Sequence, residues 1–167
     1  MSRLKNMTKN IITMNKKLLS ILLLCALGAC SSPFKDLVPP EILPAGDAAS
    51  PQNCQVFTCG GVLPFSYAFS DDVELGSFNL EVHNNFDHHT HSTEAGECEQ
   101  DPVKQPVNPW IFNKDYKIPS GSTVYEASFQ IPIPEDVDPG EYHFMIRVTD
   151  ASGWQSLKSV SIRIRKR

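Results

Sequence analysis

Histidine is concentrated in one part of this 167-residue chain. Four of the five histidines, His83, His88, His89 and His91, fall within nine positions, and the fifth is His143. Neutral imidazole is a common ligand for zinc and copper, and three or four ring nitrogens about 2.0 to 2.1 Å from the ion form a typical zinc site. The cluster therefore predicts a transition-metal site that holds zinc or copper.

The spacing of these histidines favours some of them over others as ligands. His89 and His91 would lie on one side of an extended segment, which leaves His88 as the least favoured ligand. The predicted metal ligands are His83, His89, His91 and His143, with His88 as a further candidate. Two neighbouring carboxylates, Glu81 and Asp87, could orient the rings by accepting their N–H groups. A solvated polar loop and a histidine-rich contact surface for a partner protein are the alternatives.

The elements that must position these histidines are β-strands, because apolar residues alternate with polar ones from Val56 onward. Turn residues such as Asp138-Pro139-Gly140 separate the alternating runs. The predicted strands cover residues 53–58, 63–70, 75–84, 123–133, 140–149 and 154–165. Short strands in this order predict an all-β fold, an immunoglobulin-like antiparallel β-sandwich with a long loop insertion.

In such a sandwich the third and fifth predicted strands are antiparallel neighbours. His83 lies near the end of the third strand and His143 near the start of the fifth. Both alternate out of phase with the core positions Val82 and Tyr142, so both should point outward from the same face of the sheet. We therefore expect His83 and His143 to be cross-strand neighbours.

The insertion at residues 85–122 carries the remaining histidines and is predicted to have no regular structure. Loops of this length usually have a function or are disordered. Three aromatic residues, Trp110, Phe112 and Tyr116, could supply a contact surface. The alternative function is therefore a non-catalytic interaction or adhesion module that presents this loop to an envelope protein or to glycan.

The first 29 residues are predicted to be a signal peptide. Lys16 and Lys17 precede the apolar run at residues 18–26, and small residues follow at 27–29. The next residue is Cys30, and the sequence LGAC resembles the lipobox of bacterial lipoproteins, whose cysteine is lipidated and becomes the new amino terminus. Cys30 is therefore the predicted lipidation site, and both Met1 and Met14 remain candidate starts.

A lipidated Cys30 would tether the protein to a membrane. Residues 30–52 are rich in proline and small residues, which predicts an extended linker, and residues 53–167 would form the sandwich domain. The predicted location is the cell envelope, on the outer membrane, with the periplasmic and external faces both left open. An outer-membrane transporter or another envelope protein is the predicted partner.

Three cysteines, Cys54, Cys59 and Cys98, follow Cys30 and would lie in an oxidising compartment. We expect one disulfide and one free thiol, for which three pairings exist. A bond between Cys59 and Cys98 is preferred, because Cys59 adjoins Gly60 and Gly61 in a turn at the histidine end of the sandwich. Alternatively, a cysteine thiolate could join the histidine cluster.

Charge and motifs exclude several classes of function. The first 29 residues contain five basic residues and no acidic one, whereas the rest contains 10 basic and 19 acidic residues. Such a body repels nucleic acid and attracts cations. The chain has no Walker loop, dinucleotide fingerprint, G-x-S-x-G or H-E-x-x-H motif, so we predict neither a nucleic-acid partner nor an enzyme with catalytic residues.

A second, acidic group lies in the predicted turns at the other end of the sandwich. Asp71, Asp72 and Glu74 fall in one turn and Asp150 in another. Their oxygens could bind Ca²⁺, but the favoured interpretation is that they form the turns by accepting backbone hydrogen bonds.

Four segments carry a resemblance to a known family. Residues 82–91 read VHNNFDHHTH, and FSDD, LGSF and PGEYHF stand at residues 69–72, 75–78 and 139–144. Together they resemble a lipoprotein family of the Bacteroidetes known as domain of unknown function 4625, over residues 40–164. The resemblance implies a lipid-anchored, immunoglobulin-like domain with a histidine-rich motif and no established activity. It assigns no role to Cys54, Cys59 or Cys98.

Overall fold

Eight β-strands form the protein over the residues that the structure describes. The computed structural model describes residues 35–46, 49–90, 93 and 98–167. The strands are β1 (Glu41–Pro44), β2 (Gln55–Thr58), β3 (Val62–Ser70), β4 (Leu75–Asn84), β5 (Phe112–Lys117), β6 (Val124–Pro132), β7 (Gly140–Asp150) and β8 (Gln155–Arg165). Within those residues, no helix is long and apolar enough to cross a bilayer. The predicted signal peptide, Cys30 and His91 lie outside the described part.

The strands form two sheets, with the orders β1-β3-β6 and β2-β8-β7-β4-β5. The prediction of an all-β sandwich is confirmed. The strand pairs are antiparallel, with one exception: β2 runs parallel to β8. The expectation of a wholly antiparallel sandwich is therefore wrong at this edge of the larger sheet.

Alternation of apolar residues explains the packing between the sheets. In β4, the buried residues include Phe78, Leu80 and Val82, and the residues between them are less buried. Phe65 of the smaller sheet and Phe144 of the larger one meet across the core with ring centroids 5.9 Å apart. Burial of such side chains contributes about 1.5 to 3 kcal/mol each.

Two strands occur where the sequence predicted irregular chain. The segment predicted as an extended linker contains β1, which pairs with β3 from Glu41 opposite Ser70 to Pro44 opposite Tyr67. From Asp36 onward the chain belongs to the same compact unit as the sandwich. The domain therefore begins before residue 53, because pairing with β3 satisfies backbone groups that a free linker would leave to water.

The insertion at residues 85–122 contains β5, which pairs with β4 at the edge of the larger sheet. Tyr116 of β5 stacks on Phe78, with ring centroids 4.7 Å apart. The prediction that the insertion has no regular structure is thus wrong for its second half. Residues 85–90, 93 and 98–111 remain without a strand in the described chain.

Candidate metal centre

The pairing of β4 with β7 brings two predicted ligands together. In its antiparallel register His83 stands directly opposite His143, and their ring centroids are 5.5 Å apart. Val82 and Phe144 form the neighbouring pair and lie in the core. The expectation that His83 and His143 are cross-strand neighbours is therefore confirmed.

His143 is nevertheless only 2% exposed, although it points away from the core between the sheets. Its burial comes from the insertion, which folds back over the outer face of the larger sheet. The Nε2 atom of His143 lies 3.1 Å from the carbonyl oxygen of His89 in that insertion. A ring on the outer face is thus enclosed by loop and not exposed to solvent.

The return of the insertion depends on Phe86, which is 1% exposed. Its ring packs edge-on against Tyr142, 5.3 Å between centroids, and the Lys104 ammonium lies 4.2 Å above it. Gly140 lies beside the ring with φ of +139°, and a Cβ at that position would come within 2.8 Å of the Phe86 ring. Glycine at residue 140 therefore makes room for the aromatic anchor.

This anchor places His89 beside the other two imidazoles. The ring centroid of His89 is 5.5 Å from that of His83, nearly parallel to it, and 5.2 Å from that of His143. We call these three residues, His83, His89 and His143, the imidazole cluster. His91, a fourth predicted ligand, lies outside the described residues and stays a prediction.

Two carboxylates contact the cluster from outside. Glu81 Oε1 is 3.1 Å from His83 Nδ1, and Asp87 Oδ1 is 2.5 Å from His89 Nδ1. The hydrogen bond from His89 lowers the pKa of the Asp87 carboxyl. Carboxylates in this position fix a ring and its tautomer, with N–H on Nδ1 and a lone pair on Nε2. The side chains predicted to orient the rings thus lie within hydrogen-bonding distance of them.

His88 has a different environment from its neighbours. It adopts φ of +61°, and its Nε2 atom is 2.9 Å from the carbonyl oxygen of Asp101. The ring therefore ties one part of the insertion to another. Whether His88 also binds a metal stays a prediction.

The insertion continues across the outer face of β8. The Thr93 amide donates to the Ser159 carbonyl, 3.0 Å, and Asp101 Oδ2 pairs with the Arg165 guanidinium at 2.6 Å. Arg163 pairs with both Glu141 and Glu99 between these points. These contacts leave no local pattern in the sequence, because their partners lie far apart in the chain.

The path of the insertion across β8 determines which cysteines form the disulfide. Cys98 bonds to Cys54, and the preferred pairing of Cys98 with Cys59 is wrong. The Cys54 amide donates to the Ser161 carbonyl in the middle of β8, which is the level at which the insertion crosses this strand. Cys59 lies farther along, with its amide bonded to the carbonyl of Arg165.

Cys59 keeps a free thiol that is buried in the core, with its Sγ atom 3.5 Å from the Val137 carbonyl oxygen. The alternative in which a cysteine thiolate joins the imidazoles is therefore not supported, since Cys54 and Cys98 are bonded to each other. The disulfide instead joins Cys98 of the insertion to Cys54, the residue before β2.

The predicted aromatic contact surface is also wrong. Trp110 is 4% exposed, and Phe112 and Tyr116 pack against the core. The Tyr142 hydroxyl accepts from the Trp110 amide and donates to the Asp138 carbonyl, and burial raises the pKa of Tyr142 to about 12. These aromatic residues attach the insertion to the sandwich.

A sequence model of the family described as Domain of unknown function (DUF4625) matches residues 29–165, which include all three members of the imidazole cluster. No curated protein matches the chain.

Proposed function

Because this chain belongs to the DUF4625 family, whose description names no activity, we propose a function from its geometry: the domain binds a zinc or copper ion through its imidazole cluster. His83, His89 and His143 are the proposed ligands, with His91 as the fourth. The observation that carries the proposal is the approach of three imidazoles to within 5.2–5.5 Å of one another, measured between centroids.

The distances between the rings suit a shared ion. An ion about 2.1 Å from one nitrogen of each of three imidazoles places the ring centroids roughly 5 Å apart. Within the described residues, the ligand atoms grouped within 4.8 Å of one another belong to three aspartates and not to these rings. Binding thus requires the ring nitrogens to come closer together, through side-chain shifts small enough to keep Nδ1 of His83 and of His89 on their carboxylates.

The surroundings of the rings support a metal more than a solvated loop. Imidazoles in a polar surface loop would make few contacts, whereas His143 is buried and His83 and His89 each lie against a carboxylate. Carboxylates that accept N–H from the distant ring nitrogen raise the basicity of a ligating imidazole. Nitrogen ligands favour zinc and copper over harder cations.

The proposal also gives the protein a location, at the outer membrane. A lipid on Cys30 would hold the domain at the outer membrane, where it could buffer the metal or pass it to an outer-membrane transporter. The acidic body of the chain would attract the cation. Exchange of Cys30 for serine should release the protein from the membrane fraction, and retention of the variant in that fraction contradicts the anchor.

Metal titration of the full chain, purified in mild detergent without a histidine tag, tests the binding proposal. We expect one zinc or copper ion per chain, tighter than micromolar. His83→Gln and His89→Gln should each weaken binding at least tenfold. The matched control is His88→Asn, which removes an imidazole at a position of positive φ that asparagine tolerates, and should weaken binding much less than the cluster variants do.

Two results contradict this function. The first is the absence of stoichiometric binding at micromolar metal in the wild-type chain. The second is an equal loss of affinity in His88→Asn and in the cluster variants, because that pattern would mean that the ion binds the loop without the scaffold of β4 and β7.

A second candidate function is an interaction module. Its contact surface would consist of exposed aliphatic residues in the insertion. Val103, Val107 and Ile111 of the insertion are 61%, 89% and 75% exposed. Contiguous exposed apolar residues mark contact sites for other proteins, and these three fall within nine positions of the chain. Val107→Lys and Ile111→Lys should abolish recovery of a membrane partner, while His83→Gln retains it. The reverse pattern would assign the partner to the metal site.

A further inference from the structure

Three aspartates from distant parts of the chain converge at the end of the sandwich opposite the imidazole cluster. Asp36 precedes β1, Asp71 follows β3, and Asp150 ends β7. One oxygen from each lies within 4.8 Å of the others. Asp36 and Asp150 are only 7% and 4% exposed. We call these residues the aspartate cluster.

One oxygen of each carboxylate already has a partner. Asp71 Oδ1 accepts from the amides of Val73 and Glu74, which confirms its predicted role in forming the turn. The other two accept in the same way, Asp36 Oδ1 from the Val38 amide at 3.1 Å and Asp150 Oδ1 from the Trp154 amide at 2.8 Å. Turn formation therefore accounts for one oxygen of each aspartate and leaves the other unexplained.

The remaining oxygen, Oδ2, is buried in all three residues and has no hydrogen-bond partner among the residues that the structure describes. None of the ion pairs formed between described residues includes these carboxylates. A buried carboxylate oxygen without a partner is costly, and like charges at such short distance add to that cost. Some positive species must offset this charge in the folded protein.

We infer that the aspartate cluster binds a hard divalent cation, Ca²⁺. This ion takes six to eight oxygen ligands at about 2.3 to 2.6 Å, and carboxylates that each offer a single oxygen are common among them. Three carboxylates neutralise the ion with one negative charge in excess, and backbone carbonyls or water complete the shell. The absence of nitrogen and sulfur ligands disfavours zinc and copper here.

The ion would join three segments of the chain. It would hold the segment at Asp36 to the turns after β3 and β7, a contact that the Trp154 indole N–H already supports by donating to the Asp36 carbonyl at 3.2 Å. Asp36 is six positions after Cys30. If the proposed lipid anchor is present, Ca²⁺ would fix the sandwich close to the point where the tether leaves it.

Terbium luminescence tests the site directly, because Tb³⁺ replaces Ca²⁺ and an indole within a few ångströms sensitises its emission. Excitation of tryptophan in the full chain should give Tb³⁺ emission that added Ca²⁺ removes. Trp154→Phe should abolish the emission and keep a rise in unfolding temperature with Ca²⁺. Persistent emission in Trp154→Phe, or emission that Ca²⁺ does not displace, overturns the assignment.

Substitutions distinguish a bound cation from the other explanation for how the three carboxylates are tolerated together, which is a proton shared among them. Asp36→Asn and Asp150→Asn should lose the increase in unfolding temperature that Ca²⁺ produces over EGTA in the wild type, and Asp72→Asn, the exposed control in the same turn, should keep it. Equal unfolding temperatures of the wild type in Ca²⁺ and EGTA overturn the proposal. So does a gain in stability in Asp36→Asn that is the same in both buffers.

Discussion

The imidazole cluster and the aspartate cluster lie at opposite ends of the same two strands, yet they are built differently. His83 and His143 face each other near one end of the β4–β7 pair, and Asp150 pairs with Leu75 at the other. His83 and Leu75 are eight positions apart in β4, roughly 25 Å of strand. In the imidazole cluster, Glu81 and Asp87 contact the rings from outside. In the aspartate cluster, the carboxylates themselves come together, with one oxygen of each within 4.8 Å of the others.

The two ends also differ in what holds them. The imidazole cluster takes two residues from paired strands and a third, His89, from a long insertion that needs its own anchors. The aspartate cluster takes its residues from turns and from the segment before β1, each fixed by backbone hydrogen bonds within a few positions. Loosening the insertion should therefore impair the first site and spare the second.

The largest effect should follow from Phe86→Ala. Loss of this 1%-exposed ring removes the packing against Tyr142 and the contact with Lys104, and we expect a loss of about 4 kcal/mol in the free energy of unfolding. Zinc affinity should fall at least tenfold, while the Ca²⁺ response stays. Urea unfolding and metal titration measure the two quantities.

Ile131→Ala is the control for this substitution, since Ile131 is 2% exposed in β6 of the smaller sheet, a strand to which none of the proposed metal ligands belongs. It should destabilise by a similar amount without changing zinc affinity. Equal losses of zinc affinity in both variants would show that the cluster depends on global stability and not on the anchor.

The sequence predicted the strands and the register better than the path of the insertion. Alternation in β4 and β7 places Val82 and Phe144 in the core, so the phase of His83 and His143 follows from local pattern alone. Even the bounds predicted for β4, residues 75–84, agree with the structure. A strand that is buried on one face shows its bounds and its phase in the alternation of its own residues.

Other features depend on contacts between distant residues and left no local pattern. Strand β1 ends in proline, and only two aromatic residues of β5 face the core, so neither shows clear alternation. The pairing of Cys98 with Cys54 follows from contacts of the insertion with β8, such as Thr93 with Ser159, 66 positions apart. Asp36 and Asp150 are still farther apart in sequence.

Removal of the disulfide should have the second largest effect. Cys54 and Cys98 close a loop of 44 positions, so Cys98→Ser should cost about 3 kcal/mol of stability, mainly by increasing the entropy of the unfolded chain. Because Cys98 anchors the far side of the insertion, zinc affinity should also decrease. Thermal unfolding with and without zinc measures both effects.

Cys59→Ala provides the matched control, because this buried thiol has no disulfide partner. It should leave the response to reducing agent unchanged, whereas Cys98→Ser should abolish that response. A wild-type protein whose stability is insensitive to reduction would contradict the assignment of the bond.

Low pH should weaken the binding of zinc more than the binding of Ca²⁺. An ordinary imidazole is protonated below about pH 6.5 and then cannot bind a metal, while aspartate carboxylates as a class ionise near pH 4. Between pH 7.5 and 5.5 zinc affinity should fall at least about a hundredfold, and the thermal shift produced by Ca²⁺ should persist. A zinc shift that is unchanged at pH 5.5 would indicate carboxylate ligands.

The smallest effect should come from the ion pair between Asp101 and Arg165, which fastens the insertion to β8. The Arg165 guanidinium lowers the pKa of the Asp101 carboxyl. Both side chains are partly exposed, at 32% and 44%, so solvent screening limits the pair to about 0.5 kcal/mol. Asp101→Asn isolates this charge, because the backbone of residue 101 keeps its hydrogen bonds to Glu141 and His88.

The sign of the pH dependence follows from the direction of that pKa shift. A carboxyl with a lowered pKa in the folded state stabilises the fold above its unfolded pKa of about 3.9, and this contribution disappears as pH falls through the folded value. The difference in unfolding free energy between wild type and Asp101→Asn should therefore be present at pH 7 and vanish toward pH 2. A difference that is constant across this range would mean that the side chain of residue 101 acts through packing. The pair of Arg163 with Glu99 would then hold the insertion to β8 without help from the charge of Asp101.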